Sequence, residues 1–316
     1  MSKKIVALLL SLLVVPALSA CGSTNNSTAG SSTSSSIASQ TSTAGSEKVK
    51  VSVTFDAMKE FTEAVGKDRV EVSTIIPDGT EPHDFEPKAQ DLTGLSSAQV
   101  FVYSGFGMES WADQAVKAAN NKNLVVVNAS KDSNPIKNTD AEEIKEHGQY
   151  DPHIWISLKG AETEAENIRD GLIKADPASA DYFKQNCDDF VSQLESLYSE
   201  YNTKFQAAQN KSFVTGHAAF AYLCRDFGLE QNSVEDVFAE GEPSAQKLAG
   251  LVDYCKKNNV KTIFVEDMVS PAVSQTLADQ VGAKVEQIYT IESNEDDKTY
   301  LDRMKSNLSE IYDSLS

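Results

Sequence analysis

The sequence predicts an α/β protein of two lobes, each a mainly parallel sheet flanked by helices, joined by one long rigid helix across a cleft. Three observations carry that expectation. Short apolar segments such as Val100-Phe101-Val102-Tyr103, Leu124-Val125-Val126-Val127 and Thr262-Ile263-Phe264-Val265 alternate with stretches of helical spacing, as strands buried on both faces of a parallel sheet do. The alternation runs twice, and 316 residues suffice for two such cores. Between the two runs, apolar residues recur at helical spacing from Tyr182 to Phe205 with no proline or glycine to break them.

The chain begins with Lys3-Lys4 and an apolar run from Ile5 to Ala20 interrupted only by Ser11 and Ser19. That run is too short to span a bilayer comfortably and ends in Leu18-Ser19-Ala20-Cys21, so residues 1–20 read as a cleaved export signal. The tetrad resembles a bacterial lipobox, which would make Cys21 the lipidated first residue of the mature chain. From Gly22 to Ser46 there is no charged residue, and Ser, Thr, Asn and Gly dominate. Residues 21–47 are therefore expected to be a lipid-anchored tether that cannot bury enough surface to fold.

The first lobe is expected over residues 48–175. Lys48–Phe55 alternates as a strand, Ala57–Val65 has helical spacing, and Val70–Ile76 alternates again. The next segment, Pro77 to Pro87, holds three prolines and a glycine and is expected to be a stiff loop presenting His83 among acids. A short helix over Gln90–Ala98, the strand Val100–Tyr103, a helix from Trp111 to Ala119 and the strand Leu124–Val127 follow. Phe101 to Trp111 is expected to form lobe core and cleft wall, with Glu109 a surface contact. Lys131 to Tyr150 turns polar and acidic and reads as a mobile loop containing His147. Order returns at Asp151-Pro152-His153 before a helix over Leu158–Ile173. The linking helix, residues 176–208, opens with Asp176 as cap and Pro177 in the first turn. About 30 uninterrupted residues give a rod of roughly 45 Å.

The second lobe, 209–316, repeats the plan. Strands are expected at Ser212–Thr215, Ser233–Phe238, Thr262–Val265 and Lys284–Tyr289. Helices are expected at Ala218–Phe227, Ser244–Asn258, Ser270–Val281 and Tyr300–Leu315.

Composition excludes several functions. A formal charge of −19 repels phosphate backbones, so no nucleic-acid partner is expected. Beyond Cys21, Cys187, Cys224 and Cys255 include no C-x-x-C pair and so offer no zinc ribbon or thioredoxin-type site. They allow one disulfide at most, with Cys224–Cys255 the conceivable pair. There is no His-Glu-x-x-His helix and no Gly-x-Ser-x-Gly elbow, which disfavours a secreted zinc hydrolase. Of the four histidines, His83, His153 and His217 stand at junctions between elements, where open α/β sheets gather ligands. Closing the cleft could bring the three imidazoles together on a metal.

Four stretches together resemble a known family. They are Gly79-Thr80-Glu81-Pro82-His83-Asp84-Phe85-Glu86-Pro87; Asp151-Pro152-His153-Ile154-Trp155; Gly216-His217-Ala218-Ala219-Phe220 with Arg225-Asp226-Phe227-Gly228-Leu229; and Glu240-Gly241-Glu242-Pro243-Ser244. The family is the metal-binding solute receptors of bacterial ABC transporters (cluster A-I, or cluster 9), the zinc branch most of all. The resemblance runs from about Val49 to Tyr312. It implies a metal site in the interlobe cleft, with the family's histidine ligands falling on His83, His153 and His217. The fourth ligand implied is a carboxylate after the last strand, here Glu292 in Tyr289-Thr290-Ile291-Glu292-Ser293, where many relatives carry Asn-Pro-Leu-Glu or Asp-Pro-Leu-Gly. Pro82 stands where some zinc receptors place an acid. Glu266 is a candidate partner orienting His217, a rival ligand, or a structural carboxylate.

Three imidazoles and one carboxylate suit tetrahedral Zn²⁺, the transported ion that the resemblance implies. Manganese receptors of the same family resemble this plan but generally place Glu where this chain has His217. The expected partners are a membrane ABC permease and its ATPase, served by a monomer held on the outer face of the cell membrane through lipidated Cys21. Glu109 would be the permease contact, and the single histidine of the 131–150 loop leaves His147 outside the site. Release is expected through small movements of the Glu292 loop. The alternative readings are a manganese or iron receptor of the same family, or a surface adhesin.

Overall fold

Eight short strands form two four-stranded parallel sheets in the computed structural model, which describes residues 47–139, 144–145, 148–238, 243–268, 270–294 and 296–316. Residues 1–46, where the export signal, Cys21 and most of the tether are expected, lie outside the described residues, as do His147 and Glu240-Gly241-Glu242. The first sheet has order β2-β1-β3-β4, from Val49–Val53 (β1), Val70–Thr74 (β2), Val100–Tyr103 (β3) and Val125–Asn128 (β4). The second, β6-β5-β7-β8, repeats it with Ser212–Thr215 (β5), Glu230–Ser233 (β6), Thr262–Val265 (β7) and Lys284–Gln287 (β8). In each, the order reverses beside the first strand, creating a crevice at the carboxyl ends of β1 and β3, and of β5 and β7.

Helices Asp56–Gly66 (α1), Leu158–Ala175 (α3) and Ala180–Ala207 (α4) pack against one another, and α1 and α3 also against the first sheet; Ala112–Ala119 (α2) lies between β3 and β4 in sequence. The long helix buries Phe183, Cys187, Phe190, Leu194, Leu197, Tyr201 and Phe205 at three- and four-residue spacing, the amphipathic stripe expected of it. Asp176 accepts from Ala178 N at 3.2 Å and Pro177–Ser179 form a 3₁₀ turn before α4 begins. One apolar cluster runs from Val51 and Phe61 through this stripe to Phe213, Phe264, Ile288 and Met304. The two sheets thus share a core along the rod, and a second cluster around Val214, Leu251, Ile263 and Leu277 completes the second sheet.

Several expectations need correction. Gln90–Ala98 is not an α-helix: it holds only the 3₁₀ turn Thr93–Ser96. There the hydroxyls of Thr93, Ser96 and Ser97 donate to backbone carbonyls three residues back, competing with helical pairing. The strand expected over Ser233–Phe238 is Glu230–Ser233, four residues paired with β5, which end at Thr215↔Ser233. Beyond it Val234 and Phe238 plug the core from a turn. The helix between β5 and β6 starts at Ala221, not Ala218 (α5, Ala221–Phe227). Cys187, Cys224 and Cys255 are all buried free thiols, so Cys224 and Cys255 are not paired. Glu109 is no surface contact. It is buried in the crevice of the first sheet, accepting from Thr54 Oγ1 at 2.6 Å, Ser104 N at 2.9 Å and Gly105 N at 3.0 Å. The described ends of the 131–150 loop pair across the Lys137–Tyr150 bridge, with Asn138 N donating to Gln149 O at 2.9 Å.

Candidate metal centre

Each histidine is seated by its own local device. After β2, Ile75 and Ile76 extend the ladder by donating to Val53 O and Thr54 O, and Pro77 ends it. Gly79 adopts φ 75°, a conformation that favours glycine, and its N–H donates to Ser293 Oγ at 2.8 Å. The loop carrying His83 is thereby tied to the one carrying Glu292. Glu81 Oε1 accepts from His83 N at 3.3 Å.

Asp151 Oδ1 accepts both His153 N and His153 Nδ1–H at 2.9 Å. This carboxylate–histidine pair fixes the ring and keeps a proton on Nδ1, so Nε2 is the nitrogen that an ion can take once its own proton leaves. The 3₁₀ turn Ile154–Ile156 then leads into α3, capped by Ser157 Oγ on Gly160 N at 3.0 Å. A Cβ at Gly160 would stand 2.1 Å from Ile154 O, so only glycine lets the turn behind His153 sit this close to the helix.

His217 follows β5 at the crevice of the second sheet. Its backbone N–H donates to Glu266 Oε1 at 3.1 Å and its ring Nε2–H to Val237 O at 2.8 Å, leaving Nδ1 bare. Glu292 lies beyond β8. Its Oε2 accepts from Thr290 Oγ1 at 2.8 Å, while the buried Oε1 has no hydrogen-bond partner. That oxygen stands 3.8 Å from His83 Nε2 and 3.6 Å from His153 Nε2. The residue before it, Ile291, is fully buried at φ 60°, a rare and costly conformation for a β-branched side chain.

The structure brings His83, His153, His217 and Glu292 together: one ligand atom from each lies within 4.8 Å of the others. His83 Nε2 and His153 Nε2 are 3.0 Å apart, close to the separation of about 3.3 Å between nitrogens on a tetrahedral Zn²⁺ with N ligands at 2.0–2.1 Å. An orphaned carboxylate oxygen facing imidazole nitrogens is the donor set a borderline-soft divalent ion would satisfy.

Proton affinities diverge within the site. Burial works against the imidazolium of His153, yet the Asp151 and Glu292 carboxylates raise its pKa to about 9. His217 is pushed down to about 4 by burial and by the charge of His153. Burial would raise Glu292, but the three imidazoles draw it down to about 2. Glu81 is pushed up to about 8 by burial and by the Glu292 charge.

Glu266 is not among the four: it holds the main chain of His217 rather than its ring, and its other oxygen is buried without a partner. Burial pushes it up to about 8. Two supports were not anticipated. Asp151, two residues before His153, could have been found from the Asp-x-His spacing. Val237 acts through a carbonyl, which leaves no trace in sequence.

The family ZnuA, zinc-uptake complex component A, periplasmic, matches residues 51–314. A protein of Treponema pallidum (strain Nichols) named for metal binding is 43% identical over 278 residues, 85% of this chain and 88% of its own length. The high-affinity zinc uptake system protein ZnuA of Bacillus subtilis (strain 168) is 37% identical over 282 residues, again 85% and 88% of the two chains. Among solved structures, the laminin binding protein Lmb of Streptococcus agalactiae, described as bifunctional with adhesin and metal transporting activity, superposes with a TM-score of 0.78. It is 33% identical, with 85% of this chain and all of that one covered. With fold, site and sequence in agreement, the chain belongs to the ZnuA family of extracytoplasmic zinc-uptake receptors.

Proposed function

We propose that this receptor captures one Zn²⁺ with His83, His153, His217 and Glu292 and delivers it to an ABC permease and its ATPase, working as a monomer anchored through lipidated Cys21. The observation that carries the ligand assignment is the convergence of four buried donors within 4.8 Å, one of them an orphaned carboxylate oxygen. Three imidazoles and one carboxylate fill the four positions that Zn²⁺ takes in a closed site and leave none for an activated water, so the site suits carriage rather than hydrolysis. Zinc is preferred over manganese because Mn²⁺ is the weaker binder in the divalent series and favours oxygen-rich sites.

The test is metal analysis of the soluble body from Glu47, with Zn²⁺/Mn²⁺ competition on the wild type and His217→Ala. One zinc per chain, retained against excess manganese and held much more weakly in His217→Ala, is expected. Tight manganese binding with zinc excluded overturns the metal assignment.

The likeness to Lmb supports a second reading, that the chain also acts as an adhesin. Binding to immobilised laminin that persists after zinc is removed would support it. No binding in either state would dismiss it.

A further inference from the structure

Glu292 follows the last strand of the second sheet, yet several hydrogen bonds tie its loop to the first half of the chain. Trp155 Nε1 donates to Thr290 O at 2.7 Å, Asp56 N to Glu292 O at 3.4 Å, and Gly79 N to Ser293 Oγ at 2.8 Å. Tyr300 OH donates to Trp155 O at 2.6 Å and Tyr300 N to Glu60 Oε2 at 3.1 Å. At the centre of these contacts is Arg303 of the C-terminal helix, whose side chain is fully buried. One arm of its guanidinium donates to Asp56 Oδ2 at 2.7 Å; the others reach Asn294 Oδ1 at 2.8 Å and Asp296 Oδ1 at 3.0 Å.

Two of those acceptors lie within four residues of Glu292, and the third is the residue whose N–H holds the Glu292 carbonyl. A planar fork with donors on several edges can hold all three at once, which an ammonium cannot do in the same geometry. Burying a guanidinium is expensive unless every arm is satisfied. This one is satisfied by residues from both sides of the same loop–helix contact.

We propose that Arg303 is a positioning residue for zinc binding: it fastens the Glu292 loop to α1, so that the carboxylate is held in register with His83 and His153. This rests on the reading of Glu292 as a zinc ligand. Three of the four ligands then travel with the first sheet, and only His217, seated at the end of β5, belongs mechanically to the second. The expectation that release comes through the Glu292 loop gives way to one in which His217 is the ligand that parts from the ion first.

The experiment measures Zn²⁺ Kd by chelator competition in Arg303→Lys and Asp56→Asn, each made in the wild type and in a Glu292→Ala background, with Tm recorded for all. Arg303→Lys keeps the charge but loses the fork; Asp56→Asn weakens the same link from the other side and serves if the first variant does not fold. Each is expected to weaken zinc binding about 10–100-fold in the wild type, as loss of a ligand's support does. In the Glu292→Ala background each should change Kd by less than about twofold, because the ligand through which Arg303 acts is gone. Equal weakening in both backgrounds, or a lowered Tm with Kd unchanged, overturns the proposal. A wild type that binds no zinc, or Glu292→Ala binding like the wild type, instead overturns the ligand reading beneath it.

Discussion

His153 and His217 are the same residue, equally buried, with rings 4.7 Å apart, yet their surroundings give them opposite proton affinities. Two carboxylates outweigh burial at His153 and raise it to about 9; at His217 burial and the charge of His153 prevail over Glu292 and the Val237 carbonyl and lower it to about 4. The difference teaches that what competes with the incoming ion is mainly the proton on His153. In the metal-free protein that proton partly neutralises Glu292, so the ion replaces a charge already provided for.

Ligand deletion gives the largest way to break this contrast. His153→Ala and His217→Ala should each cost more zinc affinity than the about 10–100-fold that follows loss of a supporting hydrogen bond. Only His153→Ala should flatten the pH dependence. In the wild type and in His217→Ala, affinity should rise about tenfold per pH unit from pH 7 and level off near 9, since one proton leaves for each ion bound. Calorimetry in buffers of different ionisation heat reads that proton directly. An equal slope in both variants would remove the distinction drawn here.

Asp151→Asn is the next largest. Loss of the carboxylate should weaken zinc about 10–100-fold and bring the levelling-off below pH 9. The same variant bears on the metal-free fold. A pKa raised from 6.5 to about 9 contributes stability that is complete below pH 6.5 and is lost as pH rises through 9. His217 has the opposite sign, with stability falling as pH drops from 6.5 towards 4. The unfolding free energy of the metal-free protein, read from denaturant titrations between pH 6.5 and 9, should therefore decline in the wild type by an amount on the order of 1–3 kcal/mol, and decline less in Asp151→Asn.

Smallest is Glu266→Gln. The amide oxygen can still accept from His217 N, so zinc affinity should move by about twofold or less. A loss as large as that of His217→Ala would show that Glu266 is itself a ligand.

Much of this was legible in the sequence because local rules wrote it there. Strands buried on both faces must be apolar throughout, so Val100–Tyr103 and Thr262–Val265 announce themselves, as does the stripe of the long helix. Edge strands need no such composition: Glu230–Ser233 is polar, and the apolar residues beside it, Val234 and Phe238, misplaced it by several positions. The histidines were readable from stiff or junctional contexts, whereas Glu292 was reached only through family resemblance. The hydrogen bonds that steer the site were beyond reach, because Arg303 and Asp56 are 247 positions apart and no periodicity connects them.

Ile291 carries one more consequence. A branched residue stays at φ 60° only while its side chain is clamped in the core, at a conformational penalty of about 1–3 kcal/mol. If the clamp lets go, the backbone relaxes to a common conformation and carries the adjacent carboxylate with it. There is no comfortable halfway position for Glu292. Coordination at this corner of the site should behave as a latch, wholly engaged or wholly withdrawn, with no gradual loosening between the two.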